Sequence, residues 1–173
     1  IAATHKAAEL SGLMLTYLGQ TPCKREPLDL AEVCRQHLPV LTAAMPKNVV
    51  LEAKLPSPGP AIRANAGQIQ QLLANLVTNA WEAADRSPCV LRVSVTTILP
   101  SELSESNRFP IDWQKRNHAY ACLEVADTGG GVAETDIDKL FDPFYSSKFA
   151  GRGLGLPVVL GIVRAHEGAI TVR

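Results

Sequence analysis

A chain of 173 residues, 46% apolar and 20% charged, has the make-up of a globular protein of one domain, or one domain with an appendage. Its 17 basic side chains match 17 acidic ones, which excludes the bulk electrostatic footprint for nucleic acid or a membrane surface, so any charged ligand must be met locally. Cys23, Cys34, Cys89 and Cys122 form no C-x-x-C pair and have no histidine at ligand spacing, which argues against a zinc site or disulfide framework and for small buried hydrophobes in a reducing compartment.

No signal sequence and no apolar run of about 18 residues is visible. The chain opens on Ile1 and closes inside the strand-like AITVR, and reads as a fragment of a longer protein whose membrane or sensor segments would lie elsewhere. Residues 1–18 place Ala3, Ala7, Leu10, Met14 and Tyr17 at alternating spacings of four and three, the seam of a coiled coil or helical bundle. Gly19 to Pro22 ends that pattern, and a second helix is expected from about Leu28 to Ala44, closed by Pro46. NVVLEAKLP then reads as a strand, followed by Pro and Gly punctuation at 56–60 and a short AIRAN.

A long helix is expected from about Ala66 to Ala84. Two half-buried strands follow, CVLRVSVTTI with Leu91, Val93 and Val95 on one face, and YACLEVADT with Ala121, Leu123 and Val125 on one face. The stretch between them, LPSELSESNRFPIDWQKRNH, lacks clear periodicity and is read as a mobile insertion in preference to a partner-binding element. DTGGGV, a short helical stretch, LFDPFYSSKFA, and GRGLGL opening a helix to about His166 complete the chain before a final strand. This order of helices and antiparallel-type strands indicates an α/β two-layer sandwich.

The long helix raises a chemical question, because it carries Asn75 and Asn79, and asparagine is a mediocre helix former whose amide competes for backbone hydrogen bonds. At about 100° per residue, Ile69, Leu72, Leu73, Leu76, Ala80 and Ala83 share one stripe, while Gln68, Gln71, Asn75, Asn79 and Glu82 share the adjoining one. The polar stripe would then lie at the edge of the core. It reads either as a solvated face or as a ligand-holding one, since amide oxygens are hard neutral donors suited to Mg²⁺ shared with substrate phosphates.

Asp127 ends an apolar strand directly before three glycines. There it is expected to be shielded from water and to need a donor such as an exocyclic amine, since an unpaired acceptor would cost about 1–3 kcal/mol. Gly129 and Gly131 would let the backbone approach a planar ligand, although the hexapeptide alone reads equally well as a turn containing an aspartate. GRGLGLP sets Gly151, Gly153 and Gly155 before a helix whose first turn accepts Pro157, so free N–H groups and the helix dipole make an anion site. It is neither a Walker loop nor a dinucleotide fingerprint, because Leu156 stands where the third glycine would be. Lys148 and Arg152 add positive charge, and a flexible basic segment bounded by glycines suits a lid over phosphates.

NLVTNAWEAA, DTGGGV, FDPF and GRGLGL, in this order, resemble the N, G1, F and G2 boxes of sensor histidine kinases, members of the GHKL ATP-binding superfamily. The resemblance covers residues 27–173. It implies a Bergerat-type fold, a mixed, largely antiparallel sheet covered on one face by helices, binding ATP under a lid at about 133–152. It also implies roles. Asn79 would coordinate Mg²⁺ with Asn75 and Glu82 beside it, and Asp127 would accept the adenine amine. Gly129 and Gly131 would border the base, with Ala83 and Val132 lining its pocket. Phe141 and Phe144 would anchor the lid. The segment Gly151, Arg152, Gly153, Leu154, Gly155 and Leu156 would meet the phosphates, with Lys148 screening their charge during transfer.

Gyrase-like members of the superfamily carry a water-activating glutamate where Asn75 stands, so the resemblance implies slow hydrolysis and transfer to a protein side chain. Pro157 stands where kinases often have serine. No histidine here has the H-[ED]-x-x-x-P context of a phosphoacceptor, and His5, His37, His118 and His166 are read as surface or structural. Residues 1–22 instead resemble the closing part of the dimerisation hairpin, whose phosphoacceptor half would lie upstream.

The reading is the catalytic domain of a cytoplasmic histidine kinase that phosphorylates a histidine outside this chain. Its partners would be its own dimerisation domain, in cis or in trans, and a response-regulator receiver domain. The full-length protein would be a homodimer, with no nucleic-acid or membrane contact by this segment. A non-catalytic nucleotide sensor, a GHKL ATPase and a nucleotide-free interaction domain are the alternatives.

Overall fold

The computed structural model describes residues 24–84, 88–145 and 153–173. The helical stub expected at 1–22, and Lys148, Gly151 and Arg152, lie outside these residues.

The expected helix near Leu28 begins two residues later, because the preceding residues are extended. Strand β1, Glu26–Asp29, pairs antiparallel with β3, Ala61–Ala64, in the register Glu26↔Ala64 to Asp29↔Ala61. Asp29 then caps helix α1, Leu30–Ala44, its Oδ1 accepting from the Glu32 amide at 2.9 Å. Its Oδ2 accepts from the Gly59 amide at 2.7 Å, which ties the helix start to the Pro-Gly loop. A β-carbon on Gly59 would lie 2.4 Å from Asp29 Oδ1 and 2.5 Å from Ala31 Cβ, so the loop closes on the helix only with glycine there.

The central sheet has the order β2-β4-β6, where β2 is Val49–Lys54, β4 is Cys89–Ile98 and β6 is Tyr120–Asp127. β2 runs parallel to β4, and β6 antiparallel to it. With β5, Arg108–Phe109, pairing antiparallel to β7, Ile170–Thr171, the strands are mixed and largely antiparallel. Leu91, Val93 and Val95 of β4 are at most 1% exposed and face helix α1 and helix α2, Ala66–Ala83. The opposite face is polar and solvated: Arg92 pairs with Glu52 at 2.8 Å, and the Ser94 hydroxyl donates to Glu124 at 3.3 Å. Helices therefore cover one face, the two-layer α/β sandwich expected from the element order.

Helix α2 is capped by Asn65, whose side chain accepts from the Gln68 amide at 3.0 Å. Its buried stripe differs from the expected one. Val77 is fully buried and Gln68 nearly so, whereas Leu76 and Ala83 are half-buried. Val77 packs in the sheet-side core with Leu91, Val93 and Val95, while Leu72 packs with Val158, Val159 and Ile162 of helix α3, Gly155–Ala165, and Leu76 joins that second cluster. Two partners, sheet and helix, widen the apolar face.

The 99–118 segment corrects the reading of a mobile insertion. It contains a 3-10 turn, Pro100–Glu102, and β5, and Phe109 is buried. The Trp113 indole N–H donates to the Glu167 carbonyl at 2.9 Å, and Arg116 meets the Glu167 carboxylate at 2.7 Å. A two-residue strand carries too little alternation to stand out from a polar stretch.

Cys34 and Cys89 are buried and Cys122 half-buried, all as free thiols, and burial pushes the Cys34 thiol up to about 11. His166 is structural, accepting from the Asn65 amide through Nε2 at 3.2 Å while Nδ1 lies 2.8 Å from the Ile162 carbonyl. These two bonds select the tautomer with the proton on Nδ1. Among the described residues no helix is long and apolar enough to cross a membrane.

Candidate functional site

Helix α2 organises the site because both glycine segments close on it, one turn apart. At mid-helix, Asn75 and Asn79 are half-buried on the side that faces the start of α3. A β-carbon on Gly155 would sit 3.5 Å from both side-chain atoms of the Asn79 amide and 3.9 Å from Asn75 Oδ1. The glycine thus holds the opening turn of α3 beside the two carboxamides. The N-cap of that helix, Leu154, makes no side-chain capping bond, and Pro157 fills a position in its first turn. A helix N-terminus, with its unpaired first-turn amides, thus lies beside Asn75 and Asn79.

One turn farther along α2, about 6 Å by helical rise, Ala83 meets the other segment. A β-carbon on Gly129 would lie 2.7 Å from the Ala83 carbonyl oxygen and 2.7 Å from Asp127 Oδ1. The glycine expected to admit a ligand is therefore required first by the helix end. Gly131 is needed for another reason, its φ of +68°, which non-glycine residues rarely adopt.

Asp127 corrects an expectation. It lies opposite Leu91 in the antiparallel register, on the helix-covered face of the sheet, but beyond the edge of the core. Its carboxylate is exposed, with Oδ1 accepting from the Gly129 amide at 2.8 Å. Strand alternation gave the correct face, but not how far the helix layer extends over it. Val132, 50% exposed, and Glu82, also exposed, lie toward the same end.

Of the two phenylalanines expected to anchor a lid, Phe141 is 5% exposed and packs with Phe109 and Leu160. Phe144 does not anchor through its ring, which is 65% exposed; its backbone amide donates to the Gly153 carbonyl at 2.8 Å. Gly153 has φ +61°, and a β-carbon there would lie 2.5 Å from the Phe144 carbonyl carbon. The chain is thus pinned at Phe144 and Gly153, on either side of the segment that holds Lys148, Gly151 and Arg152. Sequence reasoning missed Tyr145, whose hydroxyl is bonded to the Asp136 carboxylate, which raises its pKa. It also missed Phe109, for which burial in an apparently polar stretch left no periodic signal.

The structure therefore brings Asn75, Asn79, Gly155, Leu154 and Leu156 to one turn of α2, and Ala83, Gly129 and Asp127 to the next. Among the described residues no group of three His, Cys, Asp or Glu could hold a metal ion by itself. Two carboxamides beside a helix N-terminus fit a cation that takes most of its ligands from water and phosphate.

Comparison with known proteins agrees with this arrangement. The profile of the histidine kinase-, DNA gyrase B- and HSP90-like ATPases matches residues 64–173. The sensor histidine kinase TmoS of Ectopseudomonas mendocina is 29% identical over 98% of this chain, which spans only 16% of TmoS. Among solved structures, the catalytic domain of histidine kinase ThkA aligns with a TM-score of 0.62 at 21% identity, over 83% of this chain and 82% of that one. Full-length ShkA, in complex with AMPPNP, aligns with a TM-score of 0.64 at 22% identity, over 95% of this chain and 32% of ShkA. The fold matches these catalytic domains, and the profile match identifies the chain as an ATP-binding domain that belongs to the histidine kinase-, DNA gyrase B- and HSP90-like ATPase family.

Proposed function

We propose that this chain is the catalytic domain of a sensor histidine kinase and transfers the γ-phosphoryl group of ATP to a histidine outside residues 1–173. The observation that carries this reading is the double closure on α2, with Gly155 against Asn75 and Asn79 and Gly129 against Ala83 one turn on. A base and a triphosphate need two such neighbouring stations.

Asp127 accepts the exocyclic amine of adenine, and Ala83, Gly129, Gly131 and Val132 border the ring. Amides of Gly153, Leu154, Gly155 and Leu156 donate to phosphate oxygens, and Lys148, Gly151 and Arg152 belong to the same phosphate-facing segment of a lid spanning about 133–152. Asn79 would hold Mg²⁺, with Asn75 and Glu82 beside it. The ion would supply charge neutralisation on the phosphates, and the protein supplies alignment. The incoming imidazole nitrogen forms the new P–N bond as the bond to the β,γ-bridging oxygen breaks, and ADP leaves. An amide at Asn75 cannot take a proton from water, which favours this transfer over hydrolysis.

The domain is read as residues 27–173, with 1–22 the end of a dimerisation hairpin. The parent would be a cytoplasmic homodimer module, membrane-anchored or not, that phosphorylates its own dimerisation domain and then a response-regulator receiver domain. The test supplies the upstream helices and Mg-ATP and measures acid-labile phosphohistidine. Label on histidine, with little phosphate release, is expected. Steady phosphate release without label would favour an ATPase, and nucleotide binding with neither would favour a sensor.

A further inference from the structure

The 99–118 segment takes no part in the nucleotide stations, yet it reaches their supports. Its Phe109 ring lies 4.6 Å, centroid to centroid, from that of Phe141, at 48°. Both rings are buried together with Leu160, and Leu156, Leu140 and Ile137 pack against them. Leu156 follows Gly155 in the first turn of α3, so one apolar cluster touches the base of the lid segment and the helix start that faces Asn75 and Asn79. Phe109 is held there from behind. It pairs with Ile170 in β7, and the Val172 amide donates to the Asn107 carbonyl at 3.1 Å. The Trp113 and Arg116 bonds to Glu167 secure the rest of the segment to the turn after α3.

We propose that Phe109 is a positioning residue for phosphate recognition: from outside the cleft it seats Phe141 and the first turn of α3, and so sets the placement of the phosphate-binding amides. The inference rests on the nucleotide reading above and adds to it a residue from a segment that touches no ligand. Tight packing transmits the effect, because a dense cluster that loses part of a buried ring shifts the side chains around it. The adenine station, at the ends of α2 and β6, contributes no residue to that cluster.

The test compares wild type, Phe109→Leu, Phe141→Leu, the double variant and Ile111→Ser. Ile111 is 84% exposed on the same segment and serves as the control. Each protein is melted without ligand, then titrated with Mg-AMPPNP and with AMP, which bears a single phosphate. Leucine keeps the site apolar, so each variant should still melt cooperatively, with a modest loss of stability from the smaller side chain. Phe109→Leu is expected to weaken Mg-AMPPNP about tenfold while AMP affinity holds, since small misplacements of positioning groups are costly. The double variant should be no worse than Phe141→Leu alone, the mark of two rings acting as one unit, and Ile111→Ser should match wild type. Equal loss for both ligands, or no loss for either, would overturn the proposal while leaving the nucleotide reading intact. Wild type that binds neither ligand would overturn both.

Discussion

Between α2 and the sheet, the side of the site that we assign to adenine rests on long, regularly patterned elements: an 18-residue helix, a 10-residue strand and a core in which Leu73, Val77 and Leu91 are completely buried. The side we assign to the phosphates shares α2 and adds the first turn of α3, but its surroundings are two-residue strands, a 3-10 helix at Glu134–Lys139 and glycine at φ +61°, and it leaves Phe144 exposed. On the proposed reading, the first wall holds the Asp127 carboxylate in place with little help from ligand. The second is assembled from local constraints, such as the Phe144–Gly153 hydrogen bond and the packing of Phe109 on Phe141, each of which can be loosened without unfolding the core. Base recognition should therefore be built in, and phosphate recognition should be adjustable.

The sharpest way to break this contrast is on α2 itself. Leu73→Ala should cost about 2–5 kcal/mol, lowering the melting temperature by roughly ten degrees. Asn79→Ala, two turns farther along, should melt close to wild type, since alanine is the better helix former, but its nucleotide affinity should lose most of its Mg²⁺ dependence. Melting and metal-dependent titration of the two variants check both. If Asn79→Ala melted like Leu73→Ala, the asparagine would be a structural residue and the division would fail.

A smaller effect concerns the support of the first wall. Amides of Glu32 and Gly59 hold the Asp29 carboxyl below the usual carboxylate range. A depressed folded value stabilises the protein above the unfolded pKa, about 3.9, and that contribution fades as pH falls through the folded value. Asp29→Asn keeps a capping acceptor but does not titrate. Its stability should therefore fall less steeply than wild type below about pH 4, as denaturant midpoints across that range would reveal. The residual slope includes Glu167, whose carboxyl Arg116 and Arg25 hold down in the same direction.

How much of this was legible in the sequence follows the same division. The alternation Leu91, Val93, Val95 and the 3.6-residue stripe of α2 are long enough to identify their elements, and α2 begins at the expected Ala66. Asn75, Asn79 and Gly155 could be named from residue chemistry and resemblance, and the structure brings them together. Strand β1, Val77 and Phe109 were missed for one physical reason. Each is placed by a partner distant in sequence, namely β3, the sheet-side core around Leu91 and Phe141, and no local period records such partners. Asp127 shows the same gap in another form, since its face was readable while its exposure depends on where α2 stops.

Calorimetric titration of this chain with Mg-AMPPNP, wild type against Asp127→Ala, tests the central claim most directly. The account predicts saturable one-site binding by wild type and a loss of roughly ten- to a hundredfold or more in the variant, with unchanged melting. Wild type without binding heat or saturation, or Asp127→Ala binding as tightly as wild type, would contradict it.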